Sequence, residues 1–463
     1  MNHRDHVPAS VGRRLGKWIA PLLAVALLVA GCGGGGGGGD GNGPLLSFKV
    51  RIDNVGKAYP FIKSGAFDTP VGAGAPAPIC PGGAYEFSFT APKGSYLSLA
   101  TMFVPSNDFF FAPDEKGIAL YTPAGVQVTG DVTSQILLWD AGTEVNQEPG
   151  LGADQVQRQA AANTGAPDPD RAVRAAPNTF GNLPAVSAVI RVTLISTSAT
   201  GFKVRVENVS TATTLATSDG MRQAVPLSPG AWVVHTDPKP LFSVGAPDFG
   251  KGLEAIAEDG NPAALAAALA GETGITVPLS PGVWAVHATP NPLFAPGQTD
   301  FGKGLAAIAQ DGDPAALAAA LVTQAGILSS APFTTPVGKS SPAPIGPGGA
   351  YEFVVLASRG SRLSLATMFV PSNDLFFAPD GAGVALFNAA GLPISGDVTS
   401  ALQLWDDGTE VNQEPGVGPD QVQRQAAPGT GPAESKPVAV VNDGFRYPPT
   451  GSVIKVTVTP ALP

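Results

Sequence analysis

The chain has 463 residues, of which 44% are hydrophobic and only 14% charged, with 58 Gly, 46 Pro and a formal charge of −10. That length implies two or three domains, the apolar content argues against wholesale disorder, and a turn-rich, charge-poor composition fits an all-β surface protein. The negative sign argues against nucleic acid, whose phosphates need a basic footprint, and against direct capture of acidic polysaccharide unless a cation bridges the two.

The first stretch reads as a processing signal. Arg13, Arg14 and Lys17 form a basic region before the short apolar run Trp18 to Ala30, which is too short for a membrane-spanning stop-transfer helix. Val29-Ala30-Gly31-Cys32 then has the form of a bacterial lipobox, with residues 1–31 removed and Cys32 lipidated. Loss of Arg4, Asp5, Arg13, Arg14 and Lys17 with the leader leaves 23 basic and 36 acidic residues, a net charge of −13. Residues 32–44 are a Gly-rich tether that holds the folded part off the membrane. Multiple acyl chains anchor a protein stably to the membrane where one chain does not. The expected location is therefore the bacterial cell envelope, at the outer membrane.

The folded part opens on the alternating strand Ser47 to Ile52, and an equivalent strand, Gly201 to Val206, follows later. Ala188 to Leu194 and Ser452 to Val458 form a second matching pair. Strands that bracket each unit in this way set two expected domains, at 45–197 and 201–460, joined by the short linker Ser196 to Thr200. Cys80 has Gly346 as its counterpart in the second unit, so no intramolecular partner is expected for it.

Within each unit lies one long repeated text. Leu97 to Glu148 begins LSLATMFVPSND and ends LLWDAGTEVNQE; it returns 266 residues later, from Leu363 to Glu414, as LSLATMFVPSND and QLWDDGTEVNQE. Leu97 to Val104 has the period-two pattern of a packed strand. Pro105 ends pairing because it lacks an N–H, and Ser106-Asn107-Asp108 forms the loop. A second strand, expected over Val132 to Trp139, runs into Asp140-Ala-Gly-Thr-Glu144, where Gly142 permits a tight turn.

The second unit also carries an insertion at 215–330 that is itself duplicated: Val225 to Thr276 is repeated as Val277 to Leu328. Each half predicts a short strand (Ala231 to His235; Val283 to His287) and a helical pair. Asn261 and Asp313 are placed as N-caps, Pro262 and Pro314 at the first helical position, and AALAAAL as the helix body. Because the first unit shows no such segment, a sandwich is expected to close without it, and one of the two halves to be a redundant tandem copy.

Asp108, Asp140 and Glu144, with Asp374, Asp406 and Glu410 in the second unit, are the candidate site residues. Calcium takes several oxygen ligands at once, and loops at strand ends can converge to supply them. The same acids can instead cap turns and face water, because Asp dominates loops in any case. A carboxylate pair could also serve a glycosidase as acid and base. Asp131 and Asp397 are set aside, since one strand over Val132 to Trp139 would place Asp131 about 25 Å from Asp140. A hydrolase triad is disfavoured because the mature chain has only His235 and His287, each read as a satisfied strand-end residue. Trp139, Trp405, Trp232 and Trp284 read as core aromatics.

The paired motifs VPSND (104–108; 370–374) and LWDAGTE or LWDDGTE (138–144; 404–410) resemble the spondin N-terminal domain family in its bacterial lipid-anchored form. The match departs from animal members at Phe109 and Leu375, where Trp is usual, and at Glu144 and Glu410, where Asp is usual. The resemblance implies two tandem antiparallel C2-like β-sandwiches. It implies calcium bound by Asp108, Asp140 and Glu144 and by Asp374, Asp406 and Glu410, and adhesion to an extracellular glycan or protein ligand rather than catalysis. A secreted glycan hydrolase and a purely structural envelope spacer are the other two readings.

Overall fold

The computed structural model describes residues 45–237 and 239–461. Cys32, the leader and the tether therefore lie outside the described residues. The rest is mostly β, with 34% strand, 11% helix and four helices, as the turn-rich composition required. Every pairing between named strands is antiparallel.

Two sandwiches are present, each with a four-stranded sheet packed against a larger one. In the first, the smaller sheet runs Ala84–Thr90, Gly201–Asn208, Ile190–Ser196, Gly130–Asp131. Its larger sheet runs Phe61–Phe67, Leu227–His235, Tyr96–Phe103, Phe109–Ala112, Leu137–Asp140, Arg174–Ala175. The second sandwich repeats this plan, with Ala350–Ala357, Leu46–Asn54, Ile454–Pro460 and Gly396–Asp397 as its smaller sheet. Leu279–His287 lies between Ile327–Phe333 and Arg362–Phe369 in its larger sheet.

The sandwiches do not follow the expected boundaries 45–197 and 201–460. The N-terminal strand Leu46–Asn54 pairs with Ala350–Ala357 and Ile454–Pro460, inside the second sandwich. Its twin Gly201–Asn208 pairs with Ala84–Thr90 and Ile190–Ser196, inside the first. Residues 196–200 are therefore not a linker: Ser196 opposes Phe202, and the segment between closes a β-hairpin. Charge follows the same exchange. Lys49 and Arg51 reach Glu352 at 3.0 and 3.5 Å, while Lys203 and Arg205 reach Glu86 at 3.2 and 2.7 Å. So do the buried strand-end amides. Asn54 donates to Val277 O and Ile345 O at 2.8 and 2.9 Å, and Asn208 to Val225 O and Ile79 O at 2.8 and 2.9 Å.

The duplicated insertion divides in the same way. Leu227–His235 sits between Phe61–Phe67 and Tyr96–Phe103, so its half of the insertion belongs to the first sandwich. Leu279–His287 takes the equivalent central place in the second. Neither half is redundant, contrary to the expectation that one sandwich closes without it. The first sandwich is thus a continuous segment inserted into the second, between its first strand and its strand-plus-helices unit. The two ends of that segment meet where Tyr59 N–H donates to Thr276 Oγ1 at 2.8 Å.

Each half contributes two short helices: α1 (Leu253–Asp259) and α2 (Ala263–Gly271) in the first, α3 (Leu305–Asp311) and α4 (Ala315–Thr323) in the second. The helices start one residue later than expected, with Pro262 and Pro314 at the cap positions, and Asn261 and Asp313 accept from Ala263 and Ala315 N–H at 3.1 and 2.9 Å, as capping side chains do. Leu253, Ile256, Leu265 and Leu269 pack with Phe242, Ala100, Phe110 and Trp139 on the outer face of the larger sheet. Leu99, Phe103 and Trp232 fill the space between the two sheets. Tyr96–Phe103 is therefore buried on both faces, with only Tyr96 partly exposed, instead of showing one wet face.

Candidate functional site

At one end of the larger sheet two loops meet. Asp108 immediately precedes Phe109–Ala112, Asp140 ends Leu137–Asp140, and Phe109 opposes Asp140 across the ladder. The first loop is locked locally: Ser106 Oγ donates to Phe103 O at 2.7 Å and accepts from Phe109 N–H at 3.0 Å. Asn107 ties it to the second loop, accepting from Gln147 N–H and donating to Val145 O, both at 3.1 Å. The second sandwich repeats these contacts through Ser372 and Asn373.

Asp108, Asp140 and Glu144 are all buried, at 0%, 0% and 2% exposure, so they are not water-facing turn acids. Their oxygens differ. Asp108 Oδ2 accepts from Thr143 and Glu144 N–H, both at 3.2 Å, whereas its Oδ1 is buried with no partner. Asp140 is fully engaged: Oδ1 takes Gly142 N–H at 2.7 Å, and Oδ2 takes Asn146 Nδ2 and the Arg174 guanidinium, both at 2.7 Å. Glu144 Oε1 accepts from Gly165 N–H at 2.6 Å, while Oε2 has no partner. Burial, then the Asp140 charge, pushes the Asp108 carboxyl well above the usual carboxylate range, and burial raises Glu144.

The second site is similar but not identical. Asp374 Oδ2 accepts from Thr409 and Glu410 N–H at 3.0 and 2.9 Å, and its Oδ1 is again unpartnered. Asp406 binds Gly408 N–H and Asn412 Nδ2 at 2.7 and 2.6 Å, and Ala439 now stands opposite it where Arg174 opposes Asp140. Glu410 holds Gly431 N–H at 3.0 Å. Burial raises Asp374 to about 7 and also lifts Asp406 and Glu410.

Two further acids crowd these loops that the motif reading missed. Glu258, in the last turn of α1, is 1% exposed, faces Thr143 and Glu144, and has no partner for either carboxylate oxygen. Asp407 is fully buried beside Asp374 and Asp300, with Oδ1 unpartnered. Burial lifts each of them to about 8. The signal for both lay in the few places where the near-identical repeats differ: Ala141 against Asp407, and Glu258 against Gln310.

Asp131 and Asp397 are far from this end in a different sense from that expected. Each lies on the smaller sheet, and a 3-10 turn (Thr133–Gln135; Thr399–Ala401) interrupts the segment read as one strand. His235 and His287 are buried strand ends, with Nε2 on Ser98 and Ser364 Oγ at 3.0 and 2.9 Å and Nδ1 on a backbone carbonyl. Trp139 and Trp405 are core residues whose Nε1–H groups donate to Ala112 O and Ala378 O.

No protein-family model matches the chain, and no curated protein does. Among the described residues, no three acid, His or Cys side chains stand in ready metal-holding geometry. The fit to calcium therefore rests on the lone oxygens. Asp108 Oδ1 and Asp374 Oδ1 fit a cation's demand for unshared carboxylate oxygen; Asp140 and Asp406 have theirs occupied by hydrogen bonds.

Proposed function

We propose that this chain is a lipid-anchored, calcium-binding adhesion protein of the cell envelope, of the spondin N-terminal type, with one cation site at the loop end of each sandwich. The observation that carries the reading is the buried, unpartnered oxygen of Asp108, reproduced at Asp374 on an otherwise hydrogen-bonded loop. A carboxylate taken out of water without a partner is costly unless it is protonated or meets a cation. Asp108, Glu144, Asp374 and Glu410 would hold the ion, and Asp140 and Asp406 would fix the loop that presents them. When bound, the cation would neutralise the clustered acids and clamp the two loops together. The burial of these carboxylates gives no support to the glycan-hydrolase reading, which needs an acid and a base facing a substrate.

The partner is an extracellular glycan or protein, reached by the tether from an outer-membrane anchor at Cys32. Glycan and matrix-protein arrays, probed with the full chain in calcium and again in chelator, test the function. Calcium-dependent capture is expected; equal capture in chelator would separate adhesion from the cation sites.

A further inference from the structure

The two loop ends are built from the same text, yet each has one acid where the other has a neutral residue, and the exchange is reciprocal. The first has Glu258 on α1 and Ala141 in the loop; the second has Gln310 on α3 and Asp407 in the loop. The helix positions are structurally equivalent, because Gln310 Nε2 donates to Thr409 Oγ1 at 2.9 Å while Glu258 faces Thr143, the matching threonine. The loop positions are equivalent as well: Ala141 and Asp407 N–H donate to Asp108 and Asp374 O at 3.1 and 3.2 Å.

The fold holds these acids weakly: Thr409 Oγ1 donates to Asp407 Oδ2 at 3.3 Å, and their remaining oxygens have no partner. Glu258 is 1% exposed with no partner for either oxygen, and Asp407 is 0% exposed with Oδ1 unpartnered. Glu258 also sits in the last turn of a helix, where the carbonyl ends disfavour negative charge. Ala141 and Gln310 show that both positions accept neutral side chains. A chain without a cation would be more stable with neutral residues at both positions. Each site instead retains one buried acid beyond the shared motif set.

We infer that Glu258 and Asp407 are the closing carboxylates of the two cation sites, supplied from helix α1 in the first sandwich and from the loop in the second. This rests on the calcium reading above. The ligand class is a hard divalent cation, because the unpartnered buried groups at these loop ends are carboxylate and hydroxyl oxygens. Asp300, whose Oδ1 is also buried without a partner, lies beside Asp407 and adds a further oxygen on that side.

The test is equilibrium dialysis of calcium against the full chain in detergent, comparing the parent with Glu258→Gln, Asp407→Ala and the transplant Ala141→Asp/Glu258→Gln. Loss of an outer-shell partner alone weakens metal binding about 10- to 100-fold, so loss of a direct carboxylate should weaken one of two sites at least about tenfold and spare the other. The transplant should recover the first site by giving it the arrangement of the second. Each single variant should also melt at the parent temperature or above in chelator, which separates lost ligation from lost folding. Two sites of parental affinity in both single variants would overturn the assignment and leave the calcium reading intact. A parent that binds no calcium would overturn both.

Discussion

At the scale of single residues, the acids at the loop ends divide into two kinds that sequence spacing cannot tell apart. Asp140 is a structural anion, held by Gly142 N–H, Asn146 and Arg174. Asp108 has one oxygen satisfied and one alone. Asp140→Asn should therefore lower stability in chelator by roughly 1–3 kcal/mol, because it weakens the charged hydrogen bonds that a buried carboxylate accepts from Gly142, Asn146 and Arg174, although Asp168 still holds the guanidinium. Asp108→Asn should leave stability unchanged or raise it, since an amide oxygen still accepts the two backbone N–H groups. Denaturant melts of both variants check this, and equal losses would show that the two acids do the same job.

The pH response has an unusual sign for the same reason. Asp374, Asp407 and Glu258 have folded values of about 7, 8 and 8, all raised by burial above ordinary carboxylates. The folded, metal-free chain thus holds protons that the unfolded chain has released, and its stability falls as pH rises through that range. His235 and His287, lowered by burial, act oppositely and cost stability only as pH drops below about 6.5. In chelator the melting temperature should therefore rise from pH 8 to pH 6.5, and Glu258→Gln should flatten part of that slope. A melting temperature that falls over this interval would show that these carboxyls are ionised in the metal-free fold.

At the scale of elements, most strands and the capping side chains were legible because alternation, Pro placement and Asn or Asp caps are local; Val132 to Trp139 was not, since a 3-10 turn at Thr133–Gln135 breaks it. Strand partnership was not. Phe48-Lys49-Val50-Arg51-Ile52 and Phe202-Lys203-Val204-Arg205-Val206 have nearly the same faces, so either could complete either sheet. What decides is connection length: four residues between Ser196 and Gly201 leave room only for an antiparallel hairpin, a signal present in the text but read as a linker. The same exchange makes Leu279–His287 a central strand rather than a spare one. Deleting Val277 to Leu328 should therefore expose the second sandwich to rapid limited proteolysis while the first stays protected. A shortened chain that resists protease throughout would restore the redundant reading. The site was half legible: motif repetition pointed to Asp108 and Asp374, but Glu258 comes from a helix distant in sequence, which only the packing of α1 over the sheet brings to Thr143.

At the scale of the whole molecule, one sandwich is inserted within the other, and the described chain enters the second sandwich through Leu46–Asn54, so the proposed anchor at Cys32 would lead into that sandwich. Cys32→Ser should release the protein from the membrane fraction or leave it as unprocessed precursor; unchanged fractionation would rule out the lipid anchor. Two loop ends, each rich in buried acid, carry the proposed pair of cation sites, which would stabilise the fold when filled. Binding to the folded state alone stabilises it by about 2.7 kcal/mol per site at a hundredfold excess over the dissociation constant. Calorimetric titration of the chelator-stripped full chain, followed by melting with and without calcium, measures this directly. The account predicts two calcium ions per chain and a melting temperature that climbs with free calcium. No binding heat and no shift up to millimolar calcium would contradict it.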